Sequence, residues 1–166
     1  MEDRQRRFGE EGQSVLGMLR WPGRRLAEKG RIEMSQTIES KNKALVLEAF
    51  DTLFNQRDYV VAERYWSPKY IQHSAHIAPG REGLFNLIKS IPPTLKYEPG
   101  TIVASGDFVI VHGRFSGFGQ PVNWIAADIV RIEDGLLAEH WDVIQDEATQ
   151  EQSKSGLPMF GNKFPE

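Results

Sequence analysis

From Ser40 onward, Val46, Ala49, Phe50, Leu53 and Phe54 recur at the i, i+3, i+4, i+7, i+8 spacing of one helical face. That spacing predicts an amphipathic helix ending near Asn55-Gln56. Asp58 is placed to cap a second, shorter helix that carries Ala62, Tyr65 and Trp66 and stops at Ser67-Pro68. A third helix is predicted after Gly80, with Leu84, Leu87, Ile88 and Ile91 on one face and Pro92-Pro93 ending it. The period then shortens to that of strands. Lys96–Ser105 is extended, with Pro99-Gly100 marking a bulge or an edge. Phe108–Phe115 follows, and Val122–Glu133 and Leu136–Gln145 form a hairpin about Asp134-Gly135. Helices first and an antiparallel meander second is the order of an α+β domain, whose helices must cover one face of a curved sheet.

Alternation divides Val122–Glu133 into two sets. Trp124, Ala126, Asp128, Val130 and Ile132 share one face, while Asn123, Ile125, Ala127, Ile129, Arg131 and Glu133 share the other. The charged end of the second set marks it as the solvated or subunit-facing side. Asp128 is therefore expected on the apolar side beside Trp124. A strand interior disfavours Asp, and an ionised carboxylate away from water costs several kcal/mol unless paired or protonated. One reading pairs Asp128 with Arg114 on the preceding strand. The other raises its pKa in an apolar pocket, so that it can take and return a proton near neutral pH.

Composition narrows the choices. A chain of 166 residues with 40% hydrophobic content suits one globular domain. There are no cysteines, which excludes disulfides and thiolate chemistry. A net charge of −3 gives no general case for nucleic acid, and no apolar run approaches the roughly 20 residues that cross a bilayer. A cytoplasmic protein is the expectation. Residues 1–36, rich in Arg, Glu and Gly, are expected to be a poorly ordered extension or a basic arm for a partner. The domain proper is expected over 37–147, with an irregular tail over 148–166.

Three histidines fall on segments able to border one cavity: His73 in YIQHSAHI, His112 in mid-strand, and His140 in EHWD. His76 is the weakest candidate. His73 and His76 make a poor ligand pair, so no metal is expected. No phosphate-binding or dinucleotide motif is present, so no cofactor is expected either. Trp141 has the opposite parity to His140 and Asp142, so EHWD cannot face inward as a whole.

With YIQH after the second helix and ADIVRIEDGLLAEHWDVIQ at the end, the stretch from about Lys41 to Asp146 resembles the SnoaL-like polyketide cyclases. These belong to the nuclear transport factor 2-like superfamily. The resemblance implies a cone, with a curved sheet wrapped around three N-terminal helices and a pocket open at one end. It also implies a homodimer through the outer sheet face, where Ile125, Ala127 and Ile129 need cover. In that family an Asp of the penultimate strand is the acid/base of an intramolecular aldol condensation, and Asp128 matches its position. His112 is the nearest counterpart of an assisting pocket His, and His73 matches a frequent His after the second helix. Trp124, Tyr70, Arg114, His140 and Trp141 complete the expected substrate-binding set.

Two functions follow. One is a cofactor-independent enzyme acting on a small apolar carbonyl compound, as an aldol cyclase, an isomerase or a dehydratase. The other is a non-catalytic ligand-binding or dimeric scaffold module of the same fold. A deep apolar pocket around Asp128 favours the first, and a filled core or an Arg114 ion pair the second.

Overall fold

The computed structural model describes residues 37–165. The expectations for residues 1–36 lie outside the described residues. Helix α1 spans Ile38–Phe50 and starts where Thr37 Oγ1 accepts the Ser40 N–H. It continues into a π-helical turn over Asp51–Asn55, closed by the Gln56 N–H donating to the Asp51 carbonyl. The carboxamide of Asn55 then behaves as a strand partner. It accepts the Tyr97 N–H at 2.8 Å and donates to the Tyr97 carbonyl at 3.1 Å.

Helix α2 is a single turn, Tyr59–Ala62, capped by Asp58 as expected. It does not reach Trp66. Instead Trp66–Gln72 forms strand β1, before helix α3 over Gly80–Ser90. The Arg57 guanidinium donates to the carbonyls of Ile88, Ile91 and Pro92, satisfying the end of α3.

Strands β2 (Lys96–Ser105), β3 (Phe108–Ser116), β4 (Trp124–Glu133) and β5 (Leu136–Asp146) form the expected antiparallel meander. The sheet order is β1-β5-β4-β3-β2. Strand β1 is the correction: it lies parallel to β5, with Gln72 beside His140, so the sheet is not wholly antiparallel. Pro68 looked like a helix stop, yet proline is also tolerated on an edge strand, whose free side needs no donor.

The three helices cover one face of this curved, open sheet. Phe50, Leu53, Trp66, Leu84, Val109 and Val130 lie in the core between them. Asp134 and Gly135 both take positive φ, as a two-residue hairpin turn requires. Gly113 serves a close approach, since a Cβ there would lie 2.5 Å from the Tyr97 ring.

One irregularity decides which side chains face inward. Arg131 pairs with Glu139, but Ile132 pairs with Leu137, leaving Ala138 as an extra residue on β5. Strict alternation from the buried Leu137 would turn Trp141 inward. The bulge at Ala138 resets the parity, and His140 and Asp142 face the helices.

The tail after β5 is irregular, yet it packs on the outer face of the sheet. The Phe160 ring lies 4.9 Å from the Arg114 guanidinium carbon and 5.6 Å from the His112 ring. Glu147, itself buried, meets Arg114 at 3.4 Å and accepts from the Asn123 amide at 2.8 Å. Among the described residues, no helix is long and apolar enough to cross a membrane.

Candidate active site

Between the helices and the inner sheet face lies a cavity walled by Phe50, Phe54, Leu84, Ile88, Phe115 and Trp124. Its polar lining consists of Asp128, His140, Asp142, Tyr70, Ser74 and His76. Among the described residues, neither lysine nor arginine lines it.

Asp128 sits in the middle of β4 on the inner face, 4% exposed. Its Oδ1 is 3.0 Å from His140 Nε2, while its Oδ2 has no hydrogen-bond partner among the described residues. Burial pushes its carboxyl above the usual aspartate range; the His140 contact opposes that rise, and the nearby Asp142 charge adds to it. Asp142 is the cross-strand neighbour of Asp128, directly opposite on β5.

His140 is 6% exposed and held at both nitrogens. Its Nδ1 lies 2.9 Å from Gln72 Oε1, which also accepts the Ser74 N–H at 2.9 Å. Tyr70, on the same edge strand as Gln72, is buried, and burial holds its phenol well above the ordinary tyrosine value.

Asp128, Trp124, Tyr70 and His140 thus share one cavity. The other four expected site residues do not join them. His112 pairs with Ala127 of the outer set, one position from Val111, and faces Phe160 rather than the cavity. Arg114 has the same parity and binds Glu98 at 2.8 Å. Trp141 lies outside because of the Ala138 bulge, and its ring stacks on His73 at 4.8 Å and 3°. His73 is tied instead to Glu139 at 2.8 Å.

His76, the weakest candidate by sequence, lines the cavity and packs on Trp124 at 5.3 Å. Gln72 and Asp142 were missed as site residues. Both lay inside the quoted motifs, YIQH and EHWD, but only strand pairing shows which residues in them face inward. Among the described residues, no group of three or more His, Cys, Asp or Glu side chains is placed to hold a metal ion.

A family model described as the SnoaL-like domain matches residues 46–140, more than half of the chain. The chain belongs to the SnoaL-like domain family. The matched segment includes both residues of the Asp128–His140 pair, all of β4 and the first five residues of β5.

Solved structures extend the likeness. AclR, a candidate hydroxylase from Streptomyces galilaeus, is 27% identical over 64% of this chain and 90% of its own, with a TM-score of 0.53. A candidate SnoaL-like polyketide cyclase from Jannaschia sp. CCS1 is 22% identical over 67% of this chain and 90% of its own, at 0.57. A candidate ketosteroid isomerase from Kribbella flavida is 17% identical over 79% of this chain and all of its own, at 0.62. The last two establish the nuclear transport factor 2-like fold and nothing finer. No curated protein matches the chain.

Proposed function

We propose that this protein is a cofactor-independent acid/base enzyme acting on a small, neutral, apolar carbonyl compound. The observation that carries this reading is the divided Asp128 carboxyl. One oxygen is bound to His140, and the other stands without a partner in an apolar cavity. A buried polar atom left unpaired costs about 1–3 kcal/mol, which a substrate's polar group or acidic C–H would offset.

In the reaction proposed, Asp128 Oδ2 takes a proton from the carbon next to the carbonyl. The C–H electrons move onto the carbonyl oxygen to form an enolate, which the protonated Tyr70 phenol is suited to bind. The proton then returns to carbon, or the enolate carbon attacks a second carbonyl of the same molecule, whose π electrons move onto its oxygen and take the proton from Asp128. His140 shares the proton of Asp128 during this cycle. Arg114 is spoken for by Glu98 and Glu147, which removes the partner that a scaffold role for Asp128 called for.

Proton exchange tests the reading without knowledge of the natural substrate. Ethyl benzoylacetate and acetophenone in D2O are suitable neutral probes, with loss of the α-proton signal followed by NMR. The wild-type protein is expected to accelerate exchange, and Asp128→Asn to lower that rate by about 10²–10⁴-fold. Exchange undiminished in Asp128→Asn would remove the acid/base role.

A second copy of the chain is proposed to cover the outer sheet face. Ile71, Phe108, Ile110 and Val143 are exposed there, and Phe108 adjoins the Trp141–His73 stack. Sedimentation should show a dimer that Val143→Glu dissociates. A wild-type monomer at micromolar concentration would end this proposal.

A further inference from the structure

The hydrogen-bond chain behind Asp128 carries information about where its proton can sit. Gln72 Oε1 accepts the backbone N–H of Ser74 at 2.9 Å. A backbone N–H can only donate, so the atom facing it is the amide oxygen, and Gln72 Nε2 points elsewhere. The same oxygen lies 2.9 Å from His140 Nδ1. An amide oxygen can only accept, so Nδ1 carries a proton. Nε2 is then the single imidazole position at which His140 can gain or lose a proton, and it faces Asp128 Oδ1 at 3.0 Å.

We propose that Gln72 is a positioning residue that locks the His140 proton on Nδ1 and so makes Asp128 and Nε2 share one further, mobile proton. The proposal rests on the acid/base reading of Asp128 and adds the device that sets the protonation of the pair. With Nδ1–H fixed, two arrangements remain. In one, Asp128 Oδ1–H donates to a neutral Nε2, and the carboxyl is an acid. In the other, the proton has crossed to Nε2, and Asp128 is a carboxylate whose Oδ2 is a base. One proton crossing one 3.0 Å contact converts acid into base.

Without the Gln72 oxygen, a third arrangement opens. His140 would keep its proton on Nε2, leave Nδ1 bare, and donate permanently to an ionised Asp128. The pair would then hold one proton fewer, and no proton would be left to cross. Other titratable groups facing the pair are Asp142 on β5, Tyr70 on β1, Tyr97 on β2 and His76 before α3. None of these is hydrogen-bonded to Nδ1, so among the described residues Gln72 alone imposes the lock.

The lock joins two distant pieces of chain. Gln72 is on β1, Ser74 follows it in the turn toward α3, and His140 is on β5, joined by parallel pairing of Gln72 with His140. The backbone reinforces that pairing, because the His73 N–H donates to the His140 carbonyl at 2.9 Å.

The test reads the proton directly and needs no substrate. In protein labelled with 15N at its four histidines, the one-bond 15N–1H coupling of His140 Nδ1 is expected at neutral pH. His140→Gln identifies the signal. In Gln72→Leu the coupling at Nδ1 is expected to vanish and to appear at Nε2. Gln72→Glu, close in shape and still an acceptor at that position, should retain the Nδ1 proton and guards against a Leu variant that fails to fold. A wild-type His140 without a proton on Nδ1 would overturn the proposal. So would a folded Gln72→Leu variant with the Nδ1 coupling intact. A correct NMR pattern together with full exchange activity in Asp128→Asn would leave the lock standing and sink only the enzymatic reading.

Discussion

Two histidine–carboxylate pairs are built back to back on β5, and they teach opposite lessons. His140 meets Asp128 at 3.0 Å on the inner face; His73 meets Glu139 at 2.8 Å on the outer face. Glu139 and His140 are consecutive residues, so the two pairs are separated by the thickness of one strand. By distance the outer pair is the shorter. By environment they have nothing in common. The side chains of His140 and Asp128 are 7% and 6% exposed, and those of His73 and Glu139 are 41% and 17% exposed.

The chemistry follows exposure. Burial raises the Asp128 pKa, whereas hydrogen bonds from His73 and Arg131 lower that of Glu139. Glu139 has both oxygens engaged, one by His73 and the other by the Arg131 Nε–H at 2.8 Å. Asp128 keeps one oxygen without a partner among the described residues, and its side chain lines an apolar cavity. Glu139 is held in its ionised form with no oxygen to spare. The inner pair keeps a proton within reach and a free oxygen to use it.

The comparison can be broken most severely at the bulge. Deleting Ala138 and Glu139 together puts His140 directly after Leu137, so alternation from Leu137 turns His140 out and drives Trp141 toward the core. Overpacking plus an orphaned Asp128 is expected to cost about 2–5 kcal/mol in denaturant unfolding, with exchange activity lost. Unchanged stability would mean that the spacing between Leu137 and His140 does not set the inward face.

Next in size is the contrast between the carboxylates. Asp128→Asn is expected to lower exchange by about 10²–10⁴-fold, while Glu139→Gln and His73→Leu stay within about twofold of wild type. An equal loss in Glu139→Gln would erase the distinction between the faces.

The smallest expected effect is on stability against pH, and its sign differs between the pairs. The folded pKa of Asp128 lies above its unfolded value near 3.9. Its contribution is therefore full below about pH 3.9 and is lost as pH rises through the folded value. Asp128→Asn should accordingly gain on wild type in Tm as pH climbs above about 3.9. The folded pKa of Glu139 is lowered instead, so its contribution is present above about pH 4.3 and is lost as pH falls through the folded value. Glu139→Gln should cost up to about 1 kcal/mol at neutral pH, the usual worth of a surface pair, and nothing in acid. Parallel Tm–pH curves for the two variants would contradict the opposed signs.

Much of this architecture could be read from spacing. The apolar faces of α1 and α3 and the alternation of β2 to β4 are local signals, and they gave element bounds close to those observed. Alternation also put Asp128 and Trp124 on the inner face of β4, because that strand runs without a break from Trp124 to Arg131 in its pairing with β5. On β5 the same reasoning could not choose between His140 and Trp141. The choice depends on one unpaired residue, Ala138, whose sequence gives no sign of a bulge. Strand β1 was hidden by Pro68, which reads as a helix end and serves as part of an edge. Gln72 was out of reach altogether, because its role comes from a parallel pairing across most of the domain. His112 and Arg114 look like site residues by type, but each is one position out of phase with Val111 and Gly113 on the inner face of β3.

The parallel contact between β1 and β5 also orders events in time. Gln72 and His140 are 68 residues apart, so the first strand off the ribosome finds its neighbour only in the last one. Until β5 emerges, Trp66–Gln72 is an edge with nothing to pair with, and closing so long a loop is a slow, entropically costly step. The meander β2–β4 can form on its own in the meantime, each strand beside its predecessor. The proton-handling centre is consequently the last part of the domain to come into being, and a nascent chain that stops short of β5 exposes a strand inviting the wrong partner.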